Sequence, residues 1–225
     1  MVEDAKIASP SITRAKAIAN RLRTDILDGR FSPGTKLHLD ELKNVLGVSL
    51  SPLREGLSRL TAEGLVTVED QRGFSVAPVS KHNFLEIIDL RKMLEIKALR
   101  SSIEQGDDAW EAQVLATHHL LSKLEGQRWK KTHFDQWEAK HRAFHKALIG
   151  ACNSPLLLSF SQMLVDMNHR YRRIFNFKNP PKRDIAQEHQ ELTDTALARD
   201  ADKACALLKA HIDRTAKYIL ISMEK

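Results

Sequence analysis

Beyond Lys81 the chain of 225 residues holds no convincing run of alternating apolar and polar residues. Apolar side chains recur there at helical spacing, over roughly 81–105, 108–126, 133–150, 155–177, 181–199 and 201–223. The breaks fall at Gly106, Gly126, Gly150 and Pro180-Pro181. A period of 3.6 places one stripe of each segment in a core, whereas a strand would need a period of two. Six such stripes with no sheet to cover must cover one another. Residues 81–223 are therefore expected to form an all-α bundle of six to seven helices.

The first 80 residues are punctuated differently. Residues 1–13, with Ser9-Pro10-Ser11, lack apolar periodicity and are expected to be a flexible arm. Thr13 can cap a helix from about Arg14 to Asp28, with Ala17, Ile18, Leu22 and Ile26 on one face and Gly29 at its end. Phe31-Ser-Pro-Gly34 reads as a turn, and a second helix near Leu39–Leu46 stops at Gly47. A third is expected after Ser49, with Ser51 as N-cap and Pro52 in the first helical position, running through Leu53, Leu57 and Leu60 to Gly64. Two short strands, Leu65–Val68 and Phe74–Ala77, are joined by Asp70-Gln-Arg-Gly73. Three helices and a terminal hairpin make a winged helix-turn-helix over residues 14–79, and Pro78 and Ser80 mark its boundary.

Composition narrows the class further. Hydrophobic residues at 42% and charged residues at 28% are ordinary for a globular protein and exclude wholesale disorder. Cys152 and Cys205 cannot build a disulfide framework, so they read as packing residues in a reducing compartment. The acidic start, Met-Val-Glu-Asp, predicts no signal peptide. The apolar run around Leu156–Leu158 falls far short of the ~18 residues of a membrane span. A cytoplasmic location without a membrane partner is expected. The net charge of +6 is not concentrated in the first part: residues 1–80 hold 11 basic and 10 acidic side chains, and residues 81–225 hold 24 and 19. Any case for DNA must rest on local pattern.

That pattern is present. Gly47-Val48-Ser49 supplies the tight turn between two helices, so the second can enter a major groove. Its exposed face would carry Arg54, Ser58 and Arg59, while Ser49 and Ser51 beside its start can donate to phosphate. In the wing turn, Gln71 and Arg72 offer polar contacts, and Gly73 lets backbone approach DNA closely.

In the second part, His141 and His145 are four residues apart and share a helical face, and His189 and His211 lie on two later segments. Converging imidazoles suit zinc, nickel or iron, whereas scattered ones would be ordinary surface or core residues. Arg91 can grip a carboxylate bidentately, and Tyr171 with Arg172 in Arg170-Tyr-Arg-Arg173 form a weaker candidate pair. His118-His119 reads as surface.

Gly29-x-Phe31-x-Pro33-Gly34-x-x-Leu37, Leu46-Gly-Val-Ser49, Pro52-Leu-Arg-Glu55, Leu60-x-x-x-Gly64-Leu-Val66 and Arg72-Gly73 resemble the GntR family of bacterial transcription factors. Two positions depart from it: Leu50 stands where the family usually has a DNA-contacting arginine, and Gly56 where it usually has alanine. Leu90-Arg91-x-x-Leu94-Glu95-x-x-Ala98, His141-x-x-Phe144-His145, Glu188-His189 and His211-Ile212 resemble the FCD class of effector domains within it. The resemblance implies a divalent metal, zinc first and nickel or iron next, on His145, His189 and His211. His141 would take the place of the family's usual aspartate, which leaves the site more cationic. It also implies a homodimer on a pseudo-palindromic double-stranded DNA operator.

Within the class, Glu69-Asp-Gln-Arg-Gly-Phe-Ser-Val-Ala-Pro78, Trp137-Glu138 and Arg170-Tyr-Arg172 are similar to repressors of glutarate and 4-aminobutyrate catabolism. This implies a small dicarboxylate effector, such as glutarate or 2-hydroxyglutarate; one carboxylate would reach the metal and the other Arg91 or Arg172, with Tyr171 a weaker candidate contact. The expectation is a ligand-responsive repressor and not an enzyme. The alternative is a helical metalloenzyme, for which Glu138 is the one general base in view.

Overall fold

The computed structural model describes residues 10–69, 73–125, 131–175 and 183–224. Two compact units meet in the sequence between Val79 and Ser80. In the first, α1 (Pro10–Leu27), α2 (Leu39–Leu46) and α3 (Leu50–Ala62) accompany a small antiparallel sheet. Its strands are β1 (Lys36–Leu37), β2 (Val66–Glu69) and β3 (Gly73–Val76), in the order β1-β3-β2. Val66 lies opposite Val76 and Val68 opposite Phe74, while Leu37 meets Phe74 from the other edge. Leu22, Ile26, Leu53, Leu57, Leu60 and Val76 form one buried core. Each fully buried aliphatic side chain stabilises the unit by about 1.5–3 kcal/mol.

The structure departs from the expected elements at three places in this unit. α1 begins at Pro10, so residues 10–13, expected in the arm with Thr13 as a cap, are helical. A first-turn proline has no intrahelical acceptor to lose. The N-cap of α3 is Ser49, not Ser51, with extended backbone at φ −82° and ψ 163°. Pro52 thus stands third in the helix, still among the N–H positions that no helical carbonyl reaches. β1, only two residues long, is a third strand beside the expected hairpin. α2 does stop at Gly47, whose φ of 64° is left-handed and whose N–H returns to the Lys43 carbonyl.

Gly56 acquires a reason. A Cβ there would lie 3.0 Å from Ile18 Cγ2 and 3.2 Å from the Ala15 carbonyl oxygen. The glycine lets α3 lie directly on the backbone of α1, which offsets its loss of about 1 kcal/mol in helix propensity.

The second unit contains α4 (Lys81–Gln105), α5 (Asp108–Ser122), α6 (Lys131–Leu148), α7 (Pro155–Phe175), α8 (Ile185–Leu197) and α9 (Ala201–Met223). Among the described residues it has six helices and no strand. Ser80, Asp107, Asp184 and Asp200 cap α4, α5, α8 and α9, each side chain accepting from the backbone N–H three residues on. Such caps contribute about 1 kcal/mol each. Phe84, Leu99, Val114, Phe144, Leu192 and Leu208 are buried among these helices. His118, expected at the surface, is buried with its ring centroid 5.4 Å from that of Phe144. Cys152 and Cys205 are buried free thiols. No described helix is long and apolar enough to cross a membrane.

Gly56→Val should lower the unfolding free energy by about 1–3 kcal/mol through overpacking of α1 on α3. Chemical denaturation measures it, and an unchanged midpoint would show that the α1 contact yields freely.

Candidate metal centre and DNA-reading face

His141 and His145 project from adjacent turns of α6, His189 from α8 and His211 from α9. Their ring centroids lie between 4.4 and 6.0 Å apart. One nitrogen from each comes within 4.8 Å of all the others, and all four side chains are buried. Burial, then the charge of neighbouring groups, holds His141, His145 and His211 well below the ordinary imidazole pKa. Those three rings are neutral near pH 7, so each carries a lone pair.

The tautomers follow from the partners. The Nδ1–H of His189 donates to Glu125 at 2.6 Å, and that of His211 donates to Glu188 at 2.8 Å. Each carboxylate turns its imidazole so that the bare Nε2 faces away from it, the usual support for a metal-binding histidine. Nε2 of His189 and Nε2 of His145 are buried without any hydrogen-bond partner. Such orphaned nitrogens are costly when buried, and a cation would satisfy both. His141 differs. Its Nδ1 accepts from Arg172 Nη1 at 3.2 Å, so in the neutral ring the proton sits on Nε2. While that bond holds, His141 has no free lone pair. The histidine triad of His145, His189 and His211 therefore fits a divalent metal better than the full set of four.

The site is also less cationic than histidine in place of aspartate implied. Glu125 and Glu188 were missed by sequence reasoning as partners, although Glu188 precedes His189 directly. Glu125 follows α5 and carries no local signal at all. Arg91 pairs with Glu95, Arg172 with Glu138, and Arg183 and Arg214 share Glu188, while Glu125 bonds His189, so four guanidinium charges stand against four carboxylates. A divalent ion would add two charges that these groups leave unbalanced.

The expected effector contacts fall elsewhere. Arg91 is buried, but Glu95 one turn on accepts from its Nε at 2.6 Å and its Nη2 at 3.1 Å. The bidentate edge is taken. Tyr171 is buried with its hydroxyl on Ser80 and Asn83, so it fastens α7 to the start of α4. Arg172 donates to Glu138 as well as to His141. Burial opposes the charge of Glu138, but Arg172 and then His169 outweigh it and hold its pKa at about 2. A carboxylate so tightly paired is neither a ligand nor a general base.

A cavity of about 360 Å³ adjoins the histidines, with His145 and Glu95 on its wall. Ile149, Leu158 and Val165 supply apolar surface, and Ser161 contributes a buried hydroxyl without a partner. Arg142 and Lys146 supply charge. Arg142 is paired with Asp166, whereas Lys146 makes no ion pair among the described residues.

On the first unit, Ser51, Arg54, Ser58 and Arg59 are exposed along α3, opposite Leu53, Leu57 and Leu60. Arg59 is bonded to Glu55 at 2.8 Å, while Arg54 has no partner among the described residues. Ser49 is exposed and its hydroxyl makes no cap bond. Gly73 opens β3 with φ 84°, a backbone that strains any other residue. Gln71 and Arg72 lie outside the described residues.

The chain matches two protein families: bacterial regulatory proteins of the gntR family over residues 14–76, and the FCD domain over residues 86–214. It is 40% identical over 206 residues to the uncharacterized HTH-type transcriptional regulator BphR of Paraburkholderia xenovorans, covering 91% of this chain and 84% of that one. It is 39% identical over 195 residues to the HTH-type transcriptional repressor GlaR of Escherichia coli, covering 85% and 89%. Among solved structures, E. coli McbR/YncC superposes with a TM-score of 0.77 at 21% identity, over 93% of this chain and 98% of that one.

Glu138→Gln should expose what the Arg172 pair is worth. A carboxylate at about 2 instead of 4.5 stabilises the fold fully above pH 4.5 and loses that contribution as pH falls toward 2. The difference is on the order of 3 kcal/mol. The variant should be less stable at pH 7 by that order and should lose the parent's decline between pH 4.5 and 2. Parallel pH profiles for the two proteins would contradict the assignment.

Proposed function

This chain belongs to the GntR family of bacterial regulatory proteins with an FCD domain, and we propose that it is a metal-dependent repressor released from DNA by a small dicarboxylate. The histidine cluster carries the reading: two orphaned Nε2 atoms and two carboxylate-supported rings are what a metal ion needs. His145, His189 and His211 would hold the ion, zinc before nickel or iron. Three protein ligands leave a coordination position for a ligand carboxylate. His141 would join only if Arg172 released it.

The remaining charge favours an anion. With arginines and glutamates matched around the rings, the ion's two charges are the excess that a diacid neutralises. The cavity on His145 is ample for a five-carbon diacid. Because Arg91 and Arg172 are committed to Glu95 and Glu138, Lys146 takes the role of second anchor. Similarity to a named repressor supports repression, and Arg54, Ser51, Ser49 and Ser58 on α3, with Arg59 behind them, would meet the DNA. Gln71, Arg72 and Gly73 of the wing would add contacts. A homodimer would place two copies of α3 on a pseudo-palindrome.

The metalloenzyme alternative has lost its general base to Arg172, and the relatives are regulators.

Elemental analysis of untagged protein should find close to one transition-metal ion per chain. Less than a tenth of an equivalent after chelator-free dialysis would end the metal reading. Calorimetry with glutarate, 2-hydroxyglutarate and succinate tests the effector separately. Lys146→Ala should weaken diacid binding about tenfold or more and leave the metal content unchanged. Failure of all three diacids alongside tight binding of a neutral molecule would overturn the pocket reading.

A further inference from the structure

The first residue of α3 is a leucine that stays partly open to solvent. Leu50 is 39% exposed, although α3 buries Leu53, Leu57 and Leu60 completely. It stands outside the buried core of the first unit, and its place at the leading end of the helix is where a groove-reading helix meets base edges. Arg54 lies four residues on, so the two side chains are neighbours on one exposed strip, about 5–6 Å apart at Cβ. Arg54 is uncommitted among the described residues and suits the N7 and O6 acceptors of guanine. Leu50 offers neither donor nor acceptor. Of the features that base pairs display in the major groove, only the C5-methyl of thymine is apolar.

We propose that Leu50 reads a thymine methyl group in the operator half-site, on a base step next to the one that Arg54 contacts. Specificity along this strip is then mixed, one polar and one apolar contact a helical turn apart. The inference rests on α3 being the helix that enters the groove. Arg54 tests that separately, because a guanidinium contact is indifferent to methyl groups.

The full-length protein is used to select its preferred duplex from random-sequence DNA, and each thymine of the half-site is replaced in turn by deoxyuridine. Only the methyl group changes. At one thymine the parent should lose about 4-fold in affinity, the size of one buried methyl-sized contact. Leu50→Ala should bind more weakly and lose sensitivity to that replacement, while Arg54→Ala should bind more weakly and keep it. Leu50→Arg, put through the same selection, should exchange the preferred thymine for guanine. Leu50 is exposed, so circular dichroism should show that these variants fold like the parent. A parent indifferent to every deoxyuridine, a Leu50→Ala variant as sensitive as the parent, or a selected half-site without that thymine would each overturn the proposal. If Arg54→Ala bound the selected duplex as tightly as the parent, the placement of α3 itself would be wrong.

Discussion

Four imidazoles enclosed together in a helical bundle impose a constraint that its other polar groups answer. A buried ring nitrogen needs a partner, and a cluster of rings has too few acceptors and donors among its own members. Glu125 and Glu188 each take one Nδ1–H. Arg172 takes the Nδ1 lone pair of His141 and must then itself be matched, which Glu138 does. Arg91 and Glu95 form another closed pair on α4. Within the cluster, Nε2 of His145 and of His189 are left without a hydrogen-bond partner, the two nitrogens that a bound cation would satisfy.

Much of the architecture is legible in the sequence because it is written in local chemistry. Ser80, Asp107 and Asp200 can each accept a first-turn N–H, and the helices begin where these residues stand. Gly47 ends α2 because only a left-handed residue lets the chain turn back so tightly. β1 is not legible, because two residues carry no period and exist as a strand only through pairing with β3. The start of α1 is equally opaque, since the first turn of a helix buries little and so carries little pattern.

The histidines are legible and their partners are not. A spacing of four places His141 and His145 on one face without knowledge of the fold. By contrast, the fate of Arg91 depends on Glu95 one turn away, and a sequence cannot say whether a guanidinium faces a neighbour or a ligand. The same limit applies to Tyr171, whose hydroxyl reaches Ser80 and Asn83 across 91 and 88 residues of chain. Long-range partnership is fixed by packing, and packing has no periodic signature.

Tyr171 and Arg172 are consecutive, so they point about 100° apart around one turn of α7. One side chain grips both the N–H and the carbonyl of Ser80, the first residue of the second unit. The other holds Glu138 and His141. A helix turn is stiff, because its backbone bonds would have to break before adjacent residues moved independently. Rolling α7 about its axis to relax one grip therefore drags the other. The junction of the chain and the wall of the histidine cluster are two pins through the same axle.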